Sequence, residues 1–184
     1  MKKFLMTFAA VLCCAMTTTL FTACGGDDDD DNKNPAEDLT PKAAVMDCEI
    51  TVGDDMLNTF NLTIEYYDAN GKVQSEKLTQ KSWSKKVKAS LPAKVGARLL
   101  LQIKDGVDVA SAETFTAVYG YSYQAYAVTA SDKVVSNIAA GGINTTLPMK
   151  GEKVADWVRK HYDGLVQVLY NFSSTGMGLS ASWE

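Results

Sequence analysis

The stretch Phe60-Asn-Leu-Thr-Ile-Glu-Tyr-Tyr67, followed at once by Asp68-Ala-Asn-Gly71, decides the fold. Phe60, Leu62, Ile64 and Tyr66 fall on one side of an extended chain and Asn61, Thr63, Glu65 and Tyr67 on the other, because successive side chains of a strand alternate. Asn70-Gly71 then tolerates the positive φ that a tight hairpin needs, so residues 72–79 are expected to return antiparallel.

The same period of two recurs on both sides of this hairpin. Upstream, Met46, Cys48, Ile50 and Val52 share one face and Asp47, Glu49 and Thr51 the other, which predicts a buried Cys48 thiol. Downstream, Trp83 to Leu91 turns Val87, Ala89 and Leu91 inward, and Val95 to Lys104 turns Ala97, Leu99, Leu101 and Ile103 inward. A long β-rich stretch runs from Glu113 to Thr129, and Leu165 to Phe172 reads as a last strand before a tail rich in Gly and Ser. Short strands with frequent turn signals predict a mainly β protein, an antiparallel β-sandwich of immunoglobulin-like or transthyretin-like architecture. Gly151 to Tyr162 departs from the pattern: Val154, Trp157, Val158 and Tyr162 recur at helical spacing, predicting one short C-terminal helix.

A chain of 184 residues with 46% hydrophobic and 22% charged composition has enough apolar material for a core. Its net charge of −4 lacks the basic excess of a general nucleic-acid binder, so no nucleic acid is expected as a partner. The acids are unevenly placed. Seven of the 22 lie in residues 24–42, leaving 15 acids against 14 bases in residues 43–184, which are expected to form a single domain. The segment Asn32 to Lys42, with two prolines and no periodicity, reads as a linker.

Lys2 and Lys3 precede an apolar run from Phe4 to Phe21, the order of a secretory signal peptide, so residues 1–23 are expected to be cleaved. Thr22 and Ala23 lead into Cys24, Gly25, Gly26 and five aspartates, Asp27 to Asp31. This flank resembles the lipobox of bacterial lipoproteins, with Phe21 in the place of the usual leucine, and the acidic run resembles the surface-export signal of Bacteroidota lipoproteins. The resemblance implies that Cys24 is lipidated, that the partner at this end is outer-membrane lipid, and that the protein lies anchored on the cell surface. Several acyl chains on one residue give stable anchoring where one holds only marginally. The aspartates, mutually repelling and with nothing apolar to bury, keep residues 24–42 extended as a tether.

Few residues offer chemistry. His161 is the sole histidine, and with Cys48, the one cysteine beyond the lipobox, it falls short of a four-ligand zinc site; no metal and no cofactor is expected. Placed at the end of the predicted helix, His161 suits the exposed carbonyls there. Asp54, Asp55, Asp105 and Asp108 look like turn residues, although a glycosidase carboxylate pair has no fixed spacing in sequence. No nucleotide-binding glycine loop or nucleophile elbow occurs.

Two groups remain as candidate ligand-binding residues. Tyr119, Tyr121 and Tyr123 alternate, with Tyr126 out of phase, and a row of such rings is either a stacking platform for a sugar or a sheet face half covered by core. Nine bases, including Lys85, Lys86 and Lys88, lie between Lys72 and Lys104 against the single acid Glu76. They are either a patch for an acidic polysaccharide or partner, or lysines that blunt edge strands. The expected function is a non-catalytic surface module that captures a glycan or docks to an envelope protein. A structural subunit exchanging a strand, with the tail to Trp183 as a donor, is the alternative; a hydrolase is third.

Overall fold

The computed structural model describes residues 37–183; the predicted leader, Cys24 and the aspartate run lie outside them. The elements in order are β1 (Ala43–Val52), α1 (Asp54–Thr59), β2 (Phe60–Tyr67), β3 (Val73–Lys77), β4 (Ser82–Ser90), β5 (Ala93–Ile103), β6 (Phe115–Val128), β7 (Val134–Met149), α2 (Val154–Lys160), β8 (Val166–Phe172) and β9 (Gly178–Ser180). They form an antiparallel β-sandwich. Sheet A has the order β4-β1-β6-β7 and sheet B the order β3-β2-β5-β8-β9.

The period-two faces meet between the sheets. Met46, Cys48 and Ile50 from β1, with Ala117 and Ala125 from β6, pack against Phe60, Leu62 and Ile64 from β2 and Val95, Ala97 and Leu99 from β5. The domain from Glu37 onward is one compact unit containing this entire core. At the predicted hairpin Tyr67 pairs with Val73, Gly71 takes φ +72°, and the Asp68 carboxylate accepts the N–H groups of Asn70 and Lys72.

The helix lies within the segment its spacing marked, preceded by a 3₁₀ turn over Gly151–Lys153 and capped by His161, but Tyr162, expected on its packing face, falls beyond its end and is 82% exposed. Trp157 reaches the core at 6.2 Å from the Phe60 ring, and Phe60 meets Phe115 edge-on at 5.6 Å. Gly151 is needed for this closure, since a Cβ there would stand 2.1 Å from the Val109 carbonyl oxygen.

Three elements differ from the sequence reading. Asp54 and Asp55, read as turn residues, open the short helix α1, whose Met56 is buried. The strand β7, the longest of the sandwich at 16 residues, has no counterpart in that reading. The tail is also occupied at home: β9 pairs with β8, Ala181 donates its N–H to Leu169 at 2.9 Å, and Trp183 lies over the Arg98 guanidinium and against Tyr67. The expected donor segment thus completes its own sheet.

The two edges of sheet A differ in kind. On the β4 side, β3 and β4 are tied across the sheets: Glu76 accepts hydrogen bonds from Tyr66 Oη at 2.6 Å, Trp83 Nε1 at 2.7 Å and Lys85 Nζ at 2.8 Å. On the other side, no described strand pairs with the outer edge of β7.

Candidate functional site

Alternation sends the odd-numbered tyrosines of β6 inward. Tyr119, Tyr121 and Tyr123 are half-buried against the core, Tyr119 beside Trp157 at 6.5 Å and Tyr121 stacked on Tyr123 at 6.1 Å. The Tyr123 hydroxyl pairs with that of Tyr170 across the sandwich at 3.1 Å; this bond, then desolvation, pushes the Tyr123 phenol up to about 12. Of the two roles the alternation allowed, this packing is that of a core face.

The lysines are divided in the same way. Lys85 points inward to Glu76 and covers the Tyr66 ring at 4.6 Å. Lys86 and Lys88 point outward, toward Asp47 at 4.0 Å and onto Asp132. The three therefore make no common patch: they are distributed over both sides of an edge strand, with an inward charge and paired outward charges. Asp54 is paired with Lys81, and Asp55 accepts the Thr116 N–H at 3.3 Å. His161 closes α2 with Nδ1 2.8 Å from the Trp157 carbonyl oxygen and its ring against that indole.

The residues of the outer face of sheet A form rows across its strands. One row runs Ser84, Glu49, Ser122, Gly142; a second runs Lys86, Asp47, Gln124, Ala140; a third runs Ser82, Thr51, Gly120, Asn144. In the first row a long carboxylate stands between two serines, with a glycine beyond. Short side chains around longer ones leave an open depression of about 450 Å³, bordered by Asp47, Glu49, Ser84, Ser122, Gln124 and Gly141. A smaller hollow of about 140 Å³ adjoins it beside Thr51 and Asn144. Asp47 and Glu49 are both exposed, and Glu49 has no ion-pair partner among the described residues.

Tyr126 borders this surface. It pairs in register with Val45, shares the outer face with Gln124, and has Lys86 Nζ 5.9 Å from its ring centroid. Its ring packs on a small second cluster of Ala43, Val45 and Val128, which fixes it on the sheet. The face thus combines carboxylate and amide acceptors, hydroxyl and amide donors, and one supported aromatic ring, groups that can hydrogen-bond hydroxyls and offer an apolar surface beside them. The sequence reading placed Asp47 and Glu49 on the solvent face and noted Tyr126 as out of phase, but did not join them. Their neighbours Ser84, Ser122 and Gly142 come from three other strands, and only the strand order brings them together.

Beneath the carboxylates, Cys48 is buried, and its thiol is pushed up to about 12 by desolvation, then by the flanking charges of Asp47 and Glu49. It is a core group facing away from the depression. No family model, curated protein or solved structure matches this chain.

Proposed function

We propose that the chain is a non-catalytic binding module that captures a glycan on the outer face of sheet A, held at the cell surface by lipid on Cys24. The observation that carries this reading is the open depression around Glu49, with the Tyr126 ring on the same face one row beyond the Gln124 that lines it. Carboxylates and amides accept and donate to neighbouring sugar hydroxyls, while a tyrosine ring offers an apolar face to the pyranose. Asp47 and Glu49 stand side by side on one strand, not opposed across a cleft, an arrangement that suits holding rather than cleaving.

The test is binding of residues 37–184 to a panel of neutral and acidic polysaccharides by affinity electrophoresis and calorimetry. Glu49→Gln and Tyr126→Ala are each expected to weaken the retained glycan about tenfold, the effect of losing one good contact of roughly 1.4 kcal/mol. Retention of no polysaccharide by the unaltered domain overturns the glycan assignment and leaves an envelope protein as the ligand. Anchoring is tested separately: an acyl label should enter the chain in cells and be lost in Cys24→Ala.

A further inference from the structure

The β6–β7 half of sheet A contains no Lys, Arg, Asp or Glu in its two strands, 14 and 16 residues long. All the strand charges of the sheet lie on β1 and β4. An open strand edge presents unpaired N–H and C=O groups to any other strand, and proteins ordinarily guard such edges with charges, prolines, bulges or brevity. The β4 edge is guarded, by Lys85 pointing inward and by Lys86 and Lys88 outward. The longer β7 edge has no charge at all; its irregularities fall near the start of the strand, opposite Ala125 to Val128, and its one proline, Pro148, next to the last residue, so the middle of the strand is unguarded.

The side chains beside this edge are also left uncovered. Ile143 and Leu147 belong to the inward-facing row of β7, in register with Tyr121 and Ala117, yet they are 47% and 39% exposed. Sheet B ends on this side with the three-residue β9, too short to lie under the length of β7.

We propose that β7 is a homodimer interface, pairing antiparallel with β7 of a second copy about a two-fold axis to make one continuous eight-stranded sheet. A second copy is the occupant that fits. It brings an equally long, uncharged strand, so neither partner buries an unpaired charge, and isologous pairing satisfies both edges at once. It also brings Ile143 and Leu147 of each copy beneath the joined sheet, where they cover one another. An acidic segment is a poor occupant, having no cation on β6 or β7 to meet. The pairing stands independently of the glycan reading, although it places two depressions side by side on one surface, which raises avidity for a polymer.

The test is the mass of residues 37–184, a unit with its own complete core, by sedimentation equilibrium up to about 1 mM. The unaltered domain is expected to reach twice the monomer mass. Ile143→Lys is expected to remain monomeric with an unaltered unfolding midpoint, because that side chain is already half exposed in one copy. Lys86→Glu on the opposite edge should dimerise as before. A monomer throughout the range overturns the proposal, whatever the glycan result. So does a dimer that persists in both Ile143→Lys and Leu147→Lys, which would place the contact elsewhere.

Discussion

The carboxylate of Glu76, on the edge strand of sheet B, accepts the indole N–H of Trp83, on the edge strand of sheet A, at 2.7 Å. One side chain thereby joins the two sheets where they would otherwise part. Hydrogen bonds from Lys85, Tyr66 and Trp83, in that order, hold the carboxyl down to about 2 from an ordinary 4.5. A depressed carboxyl contributes stability that is present above its unfolded value and is lost as pH falls toward its folded one. Glu76→Gln is expected to cost about 1–2 kcal/mol at pH 7, a figure kept small because the side chain is 39% exposed and solvent screens the pair. The variant should also lose less stability than the unaltered domain between pH 4.5 and 2. Urea unfolding at pH 7 and pH 3 measures both; an identical acid slope in the two proteins refutes the linkage.

A second prediction concerns the tyrosine row. If Tyr119, Tyr121 and Tyr123 serve the core, their joint replacement by Ala should lower stability by several kcal/mol, since truncating one large aromatic in a core costs about 3–5 kcal/mol and these rings are half-buried. Tyr123→Phe should cost about 1 kcal/mol for the lost hydroxyl pair. The raised Tyr123 phenol also makes the native domain lose stability as pH rises from 10 toward 12, because the unfolded chain ionises first. Tyr123→Phe should flatten that loss, which unfolding midpoints at pH 8 and pH 11 will show.

Cys48 offers a third. Desolvation holds its thiol protonated, so a disulfide reagent at pH 8 should not react with native protein and should react fully in denaturant. Cys48→Ser, which buries a hydroxyl without a good partner, is expected to cost about 1–3 kcal/mol. Rapid labelling of the native domain would contradict the burial.

A fourth tests the closure at α2. The Cβ that Gly151→Ala introduces meets backbone, at Val109 and Ala112, which cannot swing aside as a side chain would. The expected loss is about 1–3 kcal/mol, and Ala155→Gly at an exposed helix position, about 1 kcal/mol, supplies the comparison.

Which parts of this molecule were legible follows from how locally each is encoded. The strands from Met46 to Phe172 that bury one face and wet the other were visible, because burial on one side writes a period of two. Strand β7 was not: Ala139 and Gly141 make its inner row small, Ile143 and Leu147 in that row stay exposed, and Pro148 near its end reads as a breaker. An edge strand with two half-wet faces writes no alternation. The short helix α1 was hidden for a related reason, since Asp54-Asp55 suits a turn as well as the first turn of a helix. The outward parity of Asp47 and Glu49 was legible. The depression around them was not, because it depends on which strands flank β1, a non-local fact that no window of sequence contains.

The chain enters its domain through β1, a first strand that is also an interior one. Nine register pairs tie it to β4 and ten to β6, and the entry is reinforced where Lys42 donates to Val128 at 2.8 Å and accepts from Leu91 at 3.0 Å. A pull on the N-terminal end runs along the strand, while the ladder bonds lie across it. The load is therefore shared in shear by both ladders at once, instead of opening them one pair at a time. Tension applied at the N-terminal end of β1 meets two ladders in shear, whereas tension peeling the five-residue β3 from its single neighbour meets one ladder opened pair by pair.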